Sequence, residues 1–113
     1  MIEQIRPREL STWLSRHRGD TSPVVLDVRE PAEWRTASVK PGDFTLVPMS
    51  MGTVPARLQE LDPQTPVACL CHHGGRSMQV AQFLVNQGFA QVANIAGGID
   101  AWATEIDNSI PRY

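Results

Sequence analysis

The chain has 113 residues, 42% of them hydrophobic and 19% charged, with 10 basic and 12 acidic side chains and a net charge of −2. That length suits one domain around one core, and the composition excludes the disordered and fibrous classes. The mixed, near-neutral charge leaves no footprint for nucleic acid or an anionic membrane surface, and no apolar stretch is long enough to span a bilayer.

Taken in chain order, "EQI" (3–5) reads as a short edge strand. "RELSTWLSRH" (8–17) places Leu10, Trp13 and Leu14 on one helical face, with Trp13 as a core residue. "SPVVLDV" (22–28) is rich in β-branched residues and bounded by Pro23, the pattern of a buried strand. "FTLVPM" (44–49) is a second buried strand, ended by Pro48. "VPARLQEL" (54–61) spaces Val54, Leu58 and Leu61 as a helix with Pro55 in its first turn. "PVACL" (66–70) is a further strand. "SMQVAQFLVNQ" (77–87) follows as a helix with Met78, Ala81, Leu84 and Val85 on one stripe and Gly88 as its stop. "QVANI" (91–95) is the last strand, and a helix over about 99–105 follows "AGG", with Trp102 packing it on the body.

Apolar strands alternating with helices imply an α/β fold in three layers. A mostly parallel central sheet of four to five strands carries helices on both faces. Residues 1–113 are read as a single domain. The N-terminus shows no basic region followed by an apolar one, so no secretory signal is expected. Cys69 and Cys71 sit two apart, a poor geometry for a disulfide, and two cysteines make no disulfide scaffold. A reducing cytoplasm is the expected compartment.

In such sheets ligands bind beyond the carboxyl ends of the strands. "CHHGGRS" (71–77) lies there, between a strand and a helix start. Gly74 and Gly75 can take backbone conformations that turn N–H groups inward, and the helix start adds unpaired N–H groups and a positive dipole end. Arg76 adds a planar cation suited to an oxyanion, or else ties the loop by bonding its carbonyls. A cysteine at the mouth of such a nest is stabilised as thiolate, the nucleophilic form, so Cys71 is the candidate catalytic residue. His72 and His73 either help bind an anion when protonated or stand exposed at the rim. Ser77 reads as the N-cap of the helix. The ordinary alternative is a plain glycine turn with a buried cysteine, and Cys69 is read in that way, as a small core residue. Zinc is not expected. Cys71, His72 and His73 are adjacent, chain neighbours seldom converge on one ion, and no second ligand cluster is visible. No other cofactor is implied.

Together, "LDVREPAEW" (26–34), "CHHGGRS" (71–77) and "IAGGIDAW" (95–102) resemble, in order and spacing, the three signatures of rhodanese-like domains. The resemblance covers nearly the whole chain and implies sulfurtransferase activity. In that family the cysteine matching Cys71 takes the outer sulfur of a small anionic donor such as thiosulfate and holds it as a persulfide. Cyanide in the test tube, or a thiol or protein acceptor in the cell, then removes it. The residues matching 72–76 bind the donor and the persulfide. The acidic residue matching Asp27, with Arg29 beside it, is structural near the site. Four residues, His72 to Gly75, separate Cys71 from Arg76. The family's sulfurtransferases share that loop length, whereas its phosphatase relatives have one residue more, so phosphatase or arsenate reductase chemistry ranks below sulfur transfer. A sulfur-relay or binding module loaded by a protein persulfide donor is the other reading. The chain departs from the family at "ASVKPGD" (37–43), where Ala37 and Ser38 stand in place of the usual glycine and histidine.

Overall fold

The computed structural model describes residues 2–17, 19 and 22–113. Five strands, β1 (Glu3–Ile5), β2 (Val24–Asp27), β3 (Thr45–Pro48), β4 (Val67–Leu70) and β5 (Val92–Ile95), form one sheet in the order β1-β5-β4-β2-β3. All four pairings are parallel, as the near-continuous apolar strands imply. Among the described residues the α-helices are α1 (Leu10–His17), α2 (Pro31–Thr36), α3 (Gly75–Asn86) and α4 (Gly98–Glu105).

Strand side chains alternate between faces, and this divides the core in two. Val25, Ala68, Leu70, Ala93 and Ile95 pack with Leu10, Trp13 and Leu14 of α1 and Ile99 and Trp102 of α4. Leu26, Val28, Val67, Cys69, Cys71 and Val92 pack under Val80, Ala81 and Leu84 of α3. The expected three layers are present, with helices on both faces. Cys69 and Cys71, two apart in β4 and just beyond it, both face α3.

Two local expectations are corrected. Residues 54–61 do not form an α-helix: they run as a turn and a 3-10 helix over Leu58–Glu60, preceded by another over Met51–Thr53. Arg57 at φ −109°, ψ 14° and the extended Leu61 leave the helical region, so the segment cannot propagate. Val54 and Leu61 still reach the core, so their apolar spacing was met by two short turns. Conversely, α2 was not expected. None of its residues is buried, so it carries no apolar stripe to read. It forms because Pro31 opens it at a position that needs no N–H donor. The Glu33 carboxylate also accepts the Glu30 N–H at 3.1 Å.

Candidate active site

Cys71 directly follows β4 and is 1% exposed. The chain turns at Gly74, which at φ +110° takes a conformation that L side chains rarely adopt. That turn aims the Gly74 N–H at Cys71 Sγ, 3.0 Å away. Helix α3 starts at Gly75, with Gly74 in the N-cap position. Ser77 is therefore inside the first turn and not the N-cap. Its hydroxyl, fully buried, lies 3.3 Å from Cys71 Sγ, 3.2 Å from the Gly74 carbonyl and in contact with Asn94 Oδ1. Cys71 thus meets an N–H and an O–H donor at a helix start, which is what a sulfur anion requires.

The turn "AGG" completes this floor. Gly98 at φ +59° lets α4 approach the loop so closely that a Cβ there would stand 2.3 Å from the Cys71 carbonyl oxygen. The N–H groups of Ile99 and Asp100 bond the carbonyls of Cys71 (2.8 Å) and His72 (3.1 Å). With these carbonyls held outward by α4, the loop does not need Arg76 to tie it.

Arg76 does something else. Its guanidinium makes a two-pronged contact with Glu33 of α2, at 2.6 and 2.9 Å. That hydrogen bonding holds the Glu33 carboxyl down at about 2 despite partial burial. Glu33 Oε2 also accepts the Tyr113 hydroxyl at 2.7 Å, and the same hydroxyl oxygen accepts from Arg29 Nη1 at 3.0 Å. Arg29, fully buried, grips Asp27 at 2.9 and 2.7 Å. Asp27 and Arg29 thus form a buried pair at the end of β2, at one end of a chain that runs Asp27–Arg29–Tyr113–Glu33–Arg76.

The two histidines stack beside the loop, His72 half-buried and His73 exposed. The His72 ring lies 3.9 Å from the Tyr113 ring at 7° and 3.9 Å from the His73 ring at 29°. Burial and the neighbouring His73 lower the His72 pKa. His73 is largely exposed, 3.9 Å from Asp100, whose carboxylate is itself gripped by Arg112 at 2.9 and 3.1 Å. His72, His73 and Asp100, a set that the sequence did not suggest and that leaves out Cys71, bring ligand atoms within 4.8 Å of one another. Their arrangement does not favour a metal: in-plane lone pairs of stacked rings do not meet at one point, and Arg112 already occupies both Asp100 oxygens.

Cys69 is fully buried under α3, and that burial pushes its thiol up to about 12, leaving it protonated and inert. Sequence reasoning missed Glu33 as the partner of Arg76, as well as Tyr113, Asn94, Asp100 and Arg112. Asn94, a polar residue inside an apolar strand, carried a visible signal; Glu33 and Asp100 lie within the quoted signatures without a role being read for them, and no pattern pointed to Tyr113 or Arg112.

The family model of the rhodanese-like domain matches residues 10–105. The chain belongs to the rhodanese-like domain family. A chloroplastic rhodanese-like/PpiC domain-containing protein of Arabidopsis thaliana is 47% identical over 79% of this chain, which spans only 30% of that protein. A sulfurtransferase of Allochromatium vinosum is 37% identical, with 82% of this chain and 84% of that protein covered. The solution structure of a polysulfide-sulfur transferase homodimer from Wolinella succinogenes superposes with a TM-score of 0.72, at 28% identity, over 92% of this chain and 74% of that one. This rhodanese-like fold carries no helix, among the described residues, long and apolar enough to cross a membrane.

Proposed function

We propose that this chain is a sulfurtransferase that carries a sulfane sulfur as a persulfide on Cys71. The observation that carries this reading is the pair of donors on Cys71 Sγ, the Gly74 N–H at 3.0 Å and the Ser77 hydroxyl at 3.3 Å, at the head of α3. Family membership and the relatives that are sulfurtransferases support it, as does the short loop from Cys71 to Arg76. The Cys71 thiolate attacks the outer sulfur of thiosulfate. A new S–S bond forms, the sulfur–sulfur bond of thiosulfate breaks, and its electron pair leaves with sulfite. The persulfide anion lies against the loop donors, with the helix end adding positive potential. A cyanide or thiolate acceptor then attacks the outer sulfur and returns Cys71 as thiolate. His72 and His73 line the path of donor and acceptor, and Gly74 and Gly75 shape the cradle. Both cysteines are free, which fits a reducing compartment such as the cytoplasm.

Intact mass after incubation with thiosulfate tests this. The expected result is a gain of one sulfur atom, discharged by cyanide as thiocyanate and absent in Cys71→Ser. A Cys71→Ser protein with full activity overturns it.

One observation favours a protein persulfide as the physiological donor. Glu33 neutralises Arg76, the cation a dianion such as thiosulfate would use. Rapid loading from a persulfide-bearing protein, such as a cysteine desulfurase, with slow loading by thiosulfate, selects this second reading.

A further inference from the structure

We infer that Asn94 is a positioning residue of this site, setting through Ser77 how readily Cys71 ionises. The inference rests on the reading of Cys71 as the sulfur carrier and adds a residue that none of the three signature motifs contains. Asn94 lies inside β5 and is 3% exposed. It is the register partner of Cys69 on one side and of Gln4 on the other, so this row of side chains crosses the sheet beneath α3. A valine or isoleucine would suit that strand position better, and a buried amide costs stability unless it is bonded. This one is bonded at every turn. Its Nδ2 donates to Gln4 Oε1 at 2.9 Å and to the Gly74 carbonyl at 3.3 Å, and its Oδ1 accepts the Ser77 hydroxyl.

The Ser77 hydroxyl has one proton and three acceptors within reach: Asn94 Oδ1, the Gly74 carbonyl and Cys71 Sγ. While Cys71 is a thiol, its S–H donates to Ser77 Oγ and the hydroxyl proton rests on Asn94. When Cys71 ionises, the hydroxyl turns to the sulfur and Asn94 Oδ1 gives up its donor. Ser77 therefore favours the thiolate, and Asn94 opposes it by holding the same proton. The balance matters because attack on a sulfur needs both thiolate and basicity, and a thiol acidified too far is a weak nucleophile. The other groups that bear on Cys71 are Cys69 of β4 and Arg76 of α3, with Glu33 of α2 behind Arg76. His72 and His73 of the loop and Asp100 of α4 stand at the rim. All of them remain in the variants below and set the baseline, not the difference.

The test is the pH dependence of Cys71 alkylation by iodoacetamide on the full chain, with Cys71→Ser as blank. Ser77→Ala should raise the midpoint and Asn94→Ala should lower it, each by about one unit, the scale of a single hydrogen bond. Asn94→Leu keeps the side-chain volume and should repeat the downward shift, which guards against a collapsed strand. The double variant Asn94→Ala/Ser77→Ala should match Ser77→Ala alone, because the hydroxyl is the group that Asn94 and Cys71 share, while the 3.3 Å bond from Asn94 to the Gly74 carbonyl leaves the Gly74 N–H on the sulfur. An Asn94 variant with an unmoved or raised midpoint, an unmoved Ser77→Ala, or additive shifts in the double variant overturns the inference. Alkylation needs no sulfur donor. A persulfide formed on thiosulfate alongside unmoved midpoints would therefore sink the role of Asn94 alone, while the expected shifts without any persulfide would sink the transferase reading alone.

Discussion

At the floor of the site, Cys71, Gly74 and Ser77 come from one loop and the first turn of α3 and are tied to α4 and β5 by neutral hydrogen bonds. At its rim, Asp27, Arg29, Glu33, Arg76 and Tyr113 arrive from distant parts of the chain and are tied by charge. The floor depends on backbone conformations open mainly to glycine, at Gly74 and Gly98. The rim depends on compensation, each cation meeting a carboxylate. Two kinds of perturbation should therefore separate the regions: added bulk harms the floor, and removed charge alters the rim.

The largest expected effect comes from breaking the buried end of the rim. Asp27→Ala leaves the fully buried Arg29 without its carboxylate, and loss of one partner of a buried pair costs about 3–5 kcal/mol. Urea unfolding should show it, with the rate per folded molecule much less affected. A loss under about 1 kcal/mol would mean that the pair is not the anchor described.

Next is the floor. Gly98→Ala places a Cβ 2.3 Å from the Cys71 carbonyl oxygen and 2.4 Å from that of His72, at a φ of +59°. We expect a loss of more than about 2 kcal/mol together with most of the sulfur-transfer rate, since the loop must shift off α4. Wild-type rate and stability in this variant would show that the cradle adapts to bulk.

A smaller effect is expected at the outer rim. Glu33→Gln removes the charge that compensates Arg76 and should raise kcat/KM for thiosulfate several-fold at low salt, the gain fading as salt is added. The same carboxyl predicts an acid limb. Its pKa is about 2 in the fold against an ordinary value of 4.5. Its stabilising contribution is therefore complete above pH 4.5 and is lost as pH falls toward 2. Thermal unfolding over that window should be flatter for Glu33→Gln than for the wild type. Equal slopes would remove the pair from the stability account. The smallest change is Tyr113→Phe, which deletes the hydroxyl between Arg29 and Glu33 and keeps the ring on His72. We expect about 1 kcal/mol or less and under about a twofold change in rate; a large rate loss would give the hydroxyl a chemical role.

The two regions were not equally legible in the chain. The floor could be read almost whole. Strands over 22–28, 66–70 and 91–95 follow from β-branched, apolar runs, and the structure trims only their ends. The glycines of "CHHGGRS" and "AGG" announce turns, and the first of these turns places the Gly74 N–H beside Cys71 at the head of α3. What failed there was a matter of one turn: Ser77 was read as a cap, yet α3 starts two residues earlier because Gly74 supplies the cap conformation. The exposed α2 was hidden because it has no apolar stripe, and residues 54–61 mimicked a helix because two short turns can deliver apolar side chains at helical spacing.

Periods of two and of about 3.6 residues, and the turn chemistry of glycine, are local properties, so the sequence alone determined the parallel layered fold, the position of Cys71 at the sheet edge and the shape of its loop. Only the tertiary structure decided that Arg76 belongs to Glu33, that Tyr113 lies over His72 and that Asn94 reaches Ser77. Each of these contacts joins residues far apart in the chain, where charge or polarity gives no address. The partner is chosen by which sheet row, helix start or chain end packing brings within a few ångströms.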